Sequence, residues 1–167
     1  DASPLEDFPT GLEEEEYEGD GYDSGVQRVS NGDWSLYIPS GFRFQKSGSD
    51  SYVDNWFYEK GKQAIYVQRS KQLNRSVERD FYDSEENVKR IRKNYEVRMA
   101  RRDSKGGNPV VYWEYDRDST ENYRLRCRAM FMESGGIVYF VRVAAPVAMW
   151  YQVEEEFNQV LNSFTIQ

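Results

Sequence analysis

The stretch from Ile137 to Ala145 (IVYFVRVAA) is apolar at both parities of a period-2 pattern. A strand of that composition needs cover on both faces, so it belongs in the interior of a sheet. Ser134-Gly135-Gly136 ahead of it reads as a tight turn, and Ala145-Pro146 behind it ends the strand. A helix is then predicted from about Val147 to Asn162. Its apolar positions Trp150, Val153, Phe157, Val160 and Leu161 recur at i, i+3 and i+7, which is one buried stripe. Glu154, Glu155, Glu156 and Gln159 fall on the other face, and Ser163-Phe164-Thr165-Ile166 adds two more apolar anchors. A central strand feeding a helix that folds back across the sheet should organise the core.

The rest of the chain supplies the partners of that strand. Val26 to Ser30 and Trp34 to Ile38 flank Asn31-Gly32-Asp33, a strong hairpin signal because Asn and Gly both tolerate positive φ. Pro39-Ser40-Gly41 turns the chain, Phe42 and Phe44 share a face, and Ser47 to Ser51 reads as a loop. Tyr52 to Glu59 and Gln63 to Ser70 are strands around Lys60-Gly61-Lys62. Asp83-Ser84-Glu85-Glu86 is a helix start signal, with a capping side chain followed by carboxylates that suit the positive end of the dipole. That helix is predicted to run to about Asn94 with Val88, Ile91 and then Tyr95 inward. Strands follow at Tyr95 to Arg102 (Tyr95, Val97 and Met99 inward), Val110 to Arg117 and Tyr123 to Glu133. The order strands, helix, strands, helix predicts an α+β fold, one antiparallel sheet with helices packed on it.

Charge divides the chain. Residues 1–25 hold 10 of the 29 acidic residues and no basic ones, leaving 19 acidic against 22 basic in the remainder. With only Leu5, Phe8, Leu12, Tyr17 and Tyr22 as apolar anchors, this segment cannot build its own core. It is expected to be an acidic extended arm, either a solvated tail or a docking arm whose Phe8, Leu12 and Tyr17 reach a neighbouring subunit. Residues 26–167 are expected to form the folded domain.

Several function classes are disfavoured by what is scarce. There is no histidine, which removes His-ligated zinc, His-based triads and the usual near-neutral base. Cys127 is the single cysteine, at an inward position of an alternating strand, and reads as an inert core thiol. No G-x-S-x-G, P-loop or dinucleotide fingerprint occurs, and Asp20 to Gly25 lacks the ligand spacing of a calcium loop. The chain is therefore not expected to be an enzyme or to carry a cofactor. No stretch approaches the roughly 20 apolar residues that span a membrane, and no signal peptide is recognisable.

Two basic features remain. Arg124, Arg126 and Arg128 share one face of their strand. Counting across the flanking turns places Glu114 near Arg126, Asp116 near Arg124, and Arg142 opposite Arg128. This predicts a cross-strand charge ladder, with an anion-binding patch as the other reading. The second feature is the run Lys89, Arg90, Arg92, Lys93, Arg98, Arg101, Arg102 and Lys105. A domain with so small a basic excess is not expected to bind nucleic acid. Lys89, Arg92, Lys93, Arg98, Arg101 and Arg102 are expected either to dock on an acidic protein surface or to form an ordinary solvated face.

Several of these stretches, taken in order, resemble the PsbP family of extrinsic lumenal photosystem proteins. They are Asn31-Gly32-Asp33-Trp34 through Ile38-Pro39 to Phe42, then Asp54-Asn55-Trp56-Phe57-Tyr58 with Ile65-Tyr66-Val67. Asp80 with Asp83-Ser84-Glu85-Glu86 follows, and Gly135-Gly136-Ile137-Val138-Tyr139, Trp150, Phe157 and Ser163-Phe164 close the series. The resemblance covers roughly residues 26–166 and implies an α/β/α sandwich around a central antiparallel sheet. It further implies a non-enzymatic subunit in the thylakoid lumen of the chloroplast, peripheral to the membrane. Such a subunit would bind a photosystem core and other extrinsic subunits. Photosystem II is the first expectation, with support of the oxygen-evolving complex and its calcium and chloride retention. The alternatives are photosystem I or its assembly, and a secreted or periplasmic bacterial domain or lipoprotein of the same fold. Family metal sites that involve histidine have no counterpart here, so no metal ligand carries over.

Overall fold

The computed structural model describes residues 27–167. Ten strands and two helices occur among them: β1 (Gln27–Asn31), β2 (Trp34–Ile38), β3 (Arg43–Ser49), β4 (Val53–Lys60), β5 (Gln63–Ser70), α1 (Val77–Ile91), β6 (Glu96–Lys105), β7 (Asn108–Asp118), β8 (Arg124–Ser134), β9 (Ile137–Pro146), α2 (Trp150–Ser163) and β10 (Thr165–Ile166). A short 3-10 turn, Val147–Met149, joins β9 to α2.

Seven strands form an antiparallel sheet in the order β3-β4-β5-β9-β8-β7-β6, so β9 holds the central place its two-sided apolar pattern requires. The single sheet expected from sequence is in fact two. A smaller sheet, β1-β2-β10, pairs the opening hairpin with the last residues of the chain, Thr165 opposite Ser35 and Ile166 opposite Trp34. Two residues of strand are too few to show a period in sequence.

Each face of the large sheet carries its own apolar cluster. On one face, Ile65, Val67, Val141 and Val143 pack with Trp34, Leu36 and Ile38 of β2 and with Val153, Phe157 and Val160 of α2. The buried stripe of α2 is the predicted one, Trp150, Val153, Phe157, Val160 and Leu161. Each such side chain contributes roughly 1.5–3 kcal/mol by leaving water. On the other face, Tyr66, Phe140, Phe131, Cys127, Trp113 and Tyr115 pack with Val77 and Val88 of α1. Helices on both sides of an antiparallel sheet make the fold an α+β sandwich.

Local departures from the sequence reading have physical causes. Helix α1 begins six residues before Asp83, because Ser76 caps it: its Oγ accepts from the Arg79 N–H at 3.2 Å, with Glu78 and Asp80 in the first turn. Asp83 and Ser84 are therefore interior, and the Ser84 hydroxyl donates to the Asp80 carbonyl at 2.7 Å. The helix stops at Ile91, and Asn94 takes a left-handed conformation at φ 57°. Ser47 to Ser49 continue β3 rather than forming a loop. In β6, the edge strand, Val97 is 49% exposed opposite Tyr115 rather than inward, and a register shift between Val97 and Met99 puts Met99 opposite Glu114 on the α2 side.

The β8–β9 hairpin closes on Ser134 opposite Ile137, with Gly135 and Gly136 both at positive φ, so the turn has two residues. Counting Ser134 into the turn misplaces the register by one. Arg142 therefore faces Ala129, and Arg128 faces Val143. A one-residue slip changes the face of every side chain. Arg142 lies on the α1 side, 1% exposed, with its guanidinium 5.4 Å from the Tyr66 ring.

Candidate functional site

The charge ladder exists, two residues out of the predicted step. Glu114 pairs with Arg128, Asp116 with Arg126 and Asp118 with Arg124. Arg126 grips Asp116 with two parallel hydrogen bonds, Nε to Oδ1 at 2.8 Å and Nη2 to Oδ2 at 3.0 Å. The Asp116 carboxylate, outweighing partial burial, holds the Arg126 guanidinium above its ordinary pKa. Arg128 spans Glu114 at 2.6 Å and Glu154 of α2 at 2.8 Å, and its guanidinium lies 5.2 Å from the Trp150 ring. The ladder thus ties α2 to the sheet, which is a structural use of its arginines.

The six cations proposed as a docking patch are divided between the two sides. Arg98 reaches Glu114 at 2.9 Å, and Arg101 lies 4.8 Å from the Tyr112 ring, both on the α2 side. Arg102 forms an ion pair with Glu78 of α1 at 2.5 Å on the opposite side. Lys89 lies 3.9 Å from Glu86 and 5.8 Å from the Tyr95 ring. Arg92 and Lys93 line a shallow hollow with the Asp118–Arg124 turn, where the Lys93 carbonyl accepts from the Asp118 N–H at 3.0 Å. No common surface gathers all six. Phe8, Leu12 and Tyr17 lie outside the described residues.

A groove of about 800 Å³ opens instead beside α1. The helix packs chiefly on β7 and β8, so the same face over β4, β5 and β9 is only partly roofed. The groove floor is Val53, Gln68, Ser70, Val138, Phe140 and the edge of Phe131. One wall is the polar stripe of α1, on which Asp80, Ser84 and Asn87 recur at i, i+4 and i+7 beside Asp83 and Arg90. Ser84 and Asn87 are buried. The Arg90 guanidinium donates to Asn87 Oδ1 at 2.5 Å.

One end of the groove is closed by Arg75, ion-paired with Asp80. Burial pushes the Asp80 carboxyl above its ordinary pKa, against the opposing pull of Arg75. The far rim is the turn at Asp50 to Val53. The Asp50 carboxylate accepts from the Tyr52 N–H at 2.7 Å and the Val53 N–H at 2.9 Å. Lys71 N–H donates to the Tyr52 carbonyl at 2.8 Å. The Tyr52 backbone is thereby fixed at the rim, where the residue is 55% exposed. Among the described residues no group of three or more His, Cys, Asp or Glu side chains could hold a metal ion.

This site was missed in sequence. Its signal was there: Gln68 and Ser70 break the inward apolar series of β5 at the parity of Tyr66. The polar stripe of α1 shows only once the helix is started at Ser76.

A largely antiparallel sheet with two helices packed on it defines the architectural class. Solved structures share it. The chain is similar to a cyanobacterial PsbP from Synechocystis, with TM-score 0.68 and 16% identity over 92% of this chain and 98% of that one. It is similar to LpqN of Mycobacterium tuberculosis, described as involved in cell envelope biogenesis (TM-score 0.57, 12% identity, 85% and 90% covered). It is also similar to PA94 of Pseudomonas aeruginosa, a protein of unknown function described as a putative regulator (TM-score 0.57, 13% identity, 86% and 98% covered). At such identities the likeness is one of fold, and the fold is PsbP-like. No curated protein matches the chain. Residues 27–166 match the family described as the serine/threonine kinase C-terminal domain, and the chain belongs to that family. No helix among the described residues is long and apolar enough to cross a membrane.

Proposed function

We propose that this chain is a non-enzymatic recognition module joined to a bacterial serine/threonine kinase and exposed on the envelope side of the cell. The observation that carries this reading is the family match, which spans the whole folded domain from Gln27 to Ile166. The bacterial fold relatives, one of them described as involved in cell envelope biogenesis, are consistent with the expectation of a secreted or periplasmic domain. The module works by binding. A ligand held differently in two arrangements of the receptor shifts their populations, and only that differential affinity reaches the kinase. Its partner is the envelope, with no role for nucleic acid.

The test is made in the full-length kinase. Deleting residues 27–167 should leave basal phosphorylation of a peptide substrate unchanged and abolish any change in autophosphorylation on exposure to isolated cell-envelope material. Loss of basal activity on deletion would overturn the reading, because the domain would then belong to the catalytic unit.

A second reading, an extrinsic subunit on the lumenal side of photosystem II supporting calcium and chloride retention, is favoured by one observation, the fold likeness to cyanobacterial PsbP. It requires release from thylakoids by a high-salt wash; absence from washed and unwashed membranes alike would remove it.

A further inference from the structure

We infer that the groove beside α1 is a saccharide-binding site, taking a neutral glycan segment laid along the helix with one sugar ring against Tyr52. This rests on the reading of the chain as a recognition module, and names its ligand.

The groove excludes other occupants by its chemistry. An extended peptide adds to a sheet through an open backbone edge. The strands under this groove have none: β4 lies between β3 and β5, and β9 between β5 and β8, each paired on both sides. An amphipathic helix needs a continuous apolar trough, whereas here the apolar floor of Val53, Phe131, Val138 and Phe140 is interrupted by Gln68 and Ser70 and walled by charged side chains of α1. A phosphate or nucleic acid needs a cationic wall. Here Arg75, Lys89 and Arg90 are outnumbered by Asp50, Asp80, Asp83 and Glu86.

A neutral sugar matches what is left. Each hydroxyl both donates and accepts, so it is best met by a wall that offers both kinds of partner. Along α1 the acceptors Asp83 and Glu86 are followed by the donors Lys89 and Arg90, while Gln68 and Gln72 offer both. The apolar C–H face of a pyranose packs on an aromatic ring, and a half-exposed one at the mouth of a polar groove is rightly placed for it. The Asp50-capped turn fixes the Tyr52 backbone at that mouth before any ligand arrives, which lowers the backbone part of the ordering cost of binding. The volume lies within the roughly 300–1,000 Å³ of small-molecule sites, enough for a short segment of a longer glycan.

The experiment titrates the 167-residue chain with chitotetraose, maltotetraose and cellotetraose. It follows the backbone amides by NMR and measures affinity by calorimetry. At least one tetrasaccharide should shift the amides of Gln68, Ser70 and Ser84 at millimolar concentration. Tyr52→Ala should weaken that binding roughly threefold to tenfold, and Asp83→Ala should weaken it further. Tyr151→Ala, at an exposed position of α2, should leave it unchanged. Failure of all three sugars to move the groove amides at millimolar concentration would overturn the inference. So would binding that ignores both groove substitutions, or a charged peptide that binds the groove in their place. None of these outcomes touches the kinase test, so the ligand class can fall while the recognition module stands.

Discussion

The two faces of the seven-stranded sheet are finished differently. One is closed by α2 together with the whole β1-β2-β10 sheet, over an apolar cluster that runs from Val29 to Phe164 and is flanked by the buried, paired carboxylates Glu114 and Asp116. The other is roofed by α1 alone, and Gln68, Ser70, Ser84 and Asn87 stand where apolar residues would complete it. Dense packing maximises burial and leaves no room for a ligand, so the closed face carries stability and the half-open face keeps a cavity. The same contrast separates two uses of charge. On the closed side arginines are spent on Asp116, Glu114 and Glu154, whereas along the groove several charged side chains remain accessible.

The largest effect should therefore come from the closed face. Phe157 is fully buried against Phe42 and Trp150, and Phe157→Ala should cost about 3–5 kcal/mol. Phe81, which meets Trp113 and Phe131 from α1 but is only partly buried, should cost less than about half of that on truncation. Urea unfolding with an unchanged slope gives both numbers. Equal costs would break the comparison, because the α1 side would then be packed as tightly as the other.

The closed face was also the more legible one. Its elements announce themselves by period, β9 by two-sided apolarity and α2 by a clean stripe, so their place and burial could be read directly. The opening hairpin was read for the same reason, although the contacts of Asp33 were not. Its carboxylate meets Arg69 Nε at 2.9 Å and the Tyr139 hydroxyl at 2.6 Å, and its carbonyl accepts from the Gln167 N–H at 2.7 Å. Partners this far along the chain leave no local pattern. The half-open face was harder because its signal is polar. A polar stripe on a helix looks like a solvated face until the register is known. Here the register turned on Ser76, whose capping role a preceding run of polar residues concealed. The β8–β9 slip is the same kind of failure, one turn residue deciding which side of the sheet Arg142 joins.

The Asp33 clasp sharpens the comparison from the closed side, since it pins the small sheet to β5 and β9. Partial burial disfavours its charge, but the Tyr139 hydroxyl and the Arg69 guanidinium outweigh this and hold the carboxyl below its ordinary pKa. Burial and the facing Asp33 push the Tyr139 hydroxyl up to about 12. A lowered folded pKa means that the ionised form favours folding. That contribution is complete above the ordinary carboxylate pKa and is lost as pH falls through the lower folded value. Asp33→Asn should accordingly cost about 1–2 kcal/mol near neutral pH. The gap between variant and parent should narrow through this acid range when unfolding is repeated there. A gap constant with pH would show that the clasp works by shape rather than by charge.

The smallest effect should come from the groove rim. The Tyr52 ring is half exposed, and the bonds that hold its turn run through backbone atoms to Asp50 and Lys71, so none depends on the ring. Tyr52→Ala should shift unfolding by less than about 0.5 kcal/mol, as measured by the urea midpoint. A side chain that contributes so little to folding, on a backbone fixed by a capped turn, differs in kind from Phe157, whose burial is its role. A loss of stability comparable to that of Phe81→Ala would place Tyr52 in the packing of the half-open face. The groove would then be a flaw in its cover rather than a feature kept open.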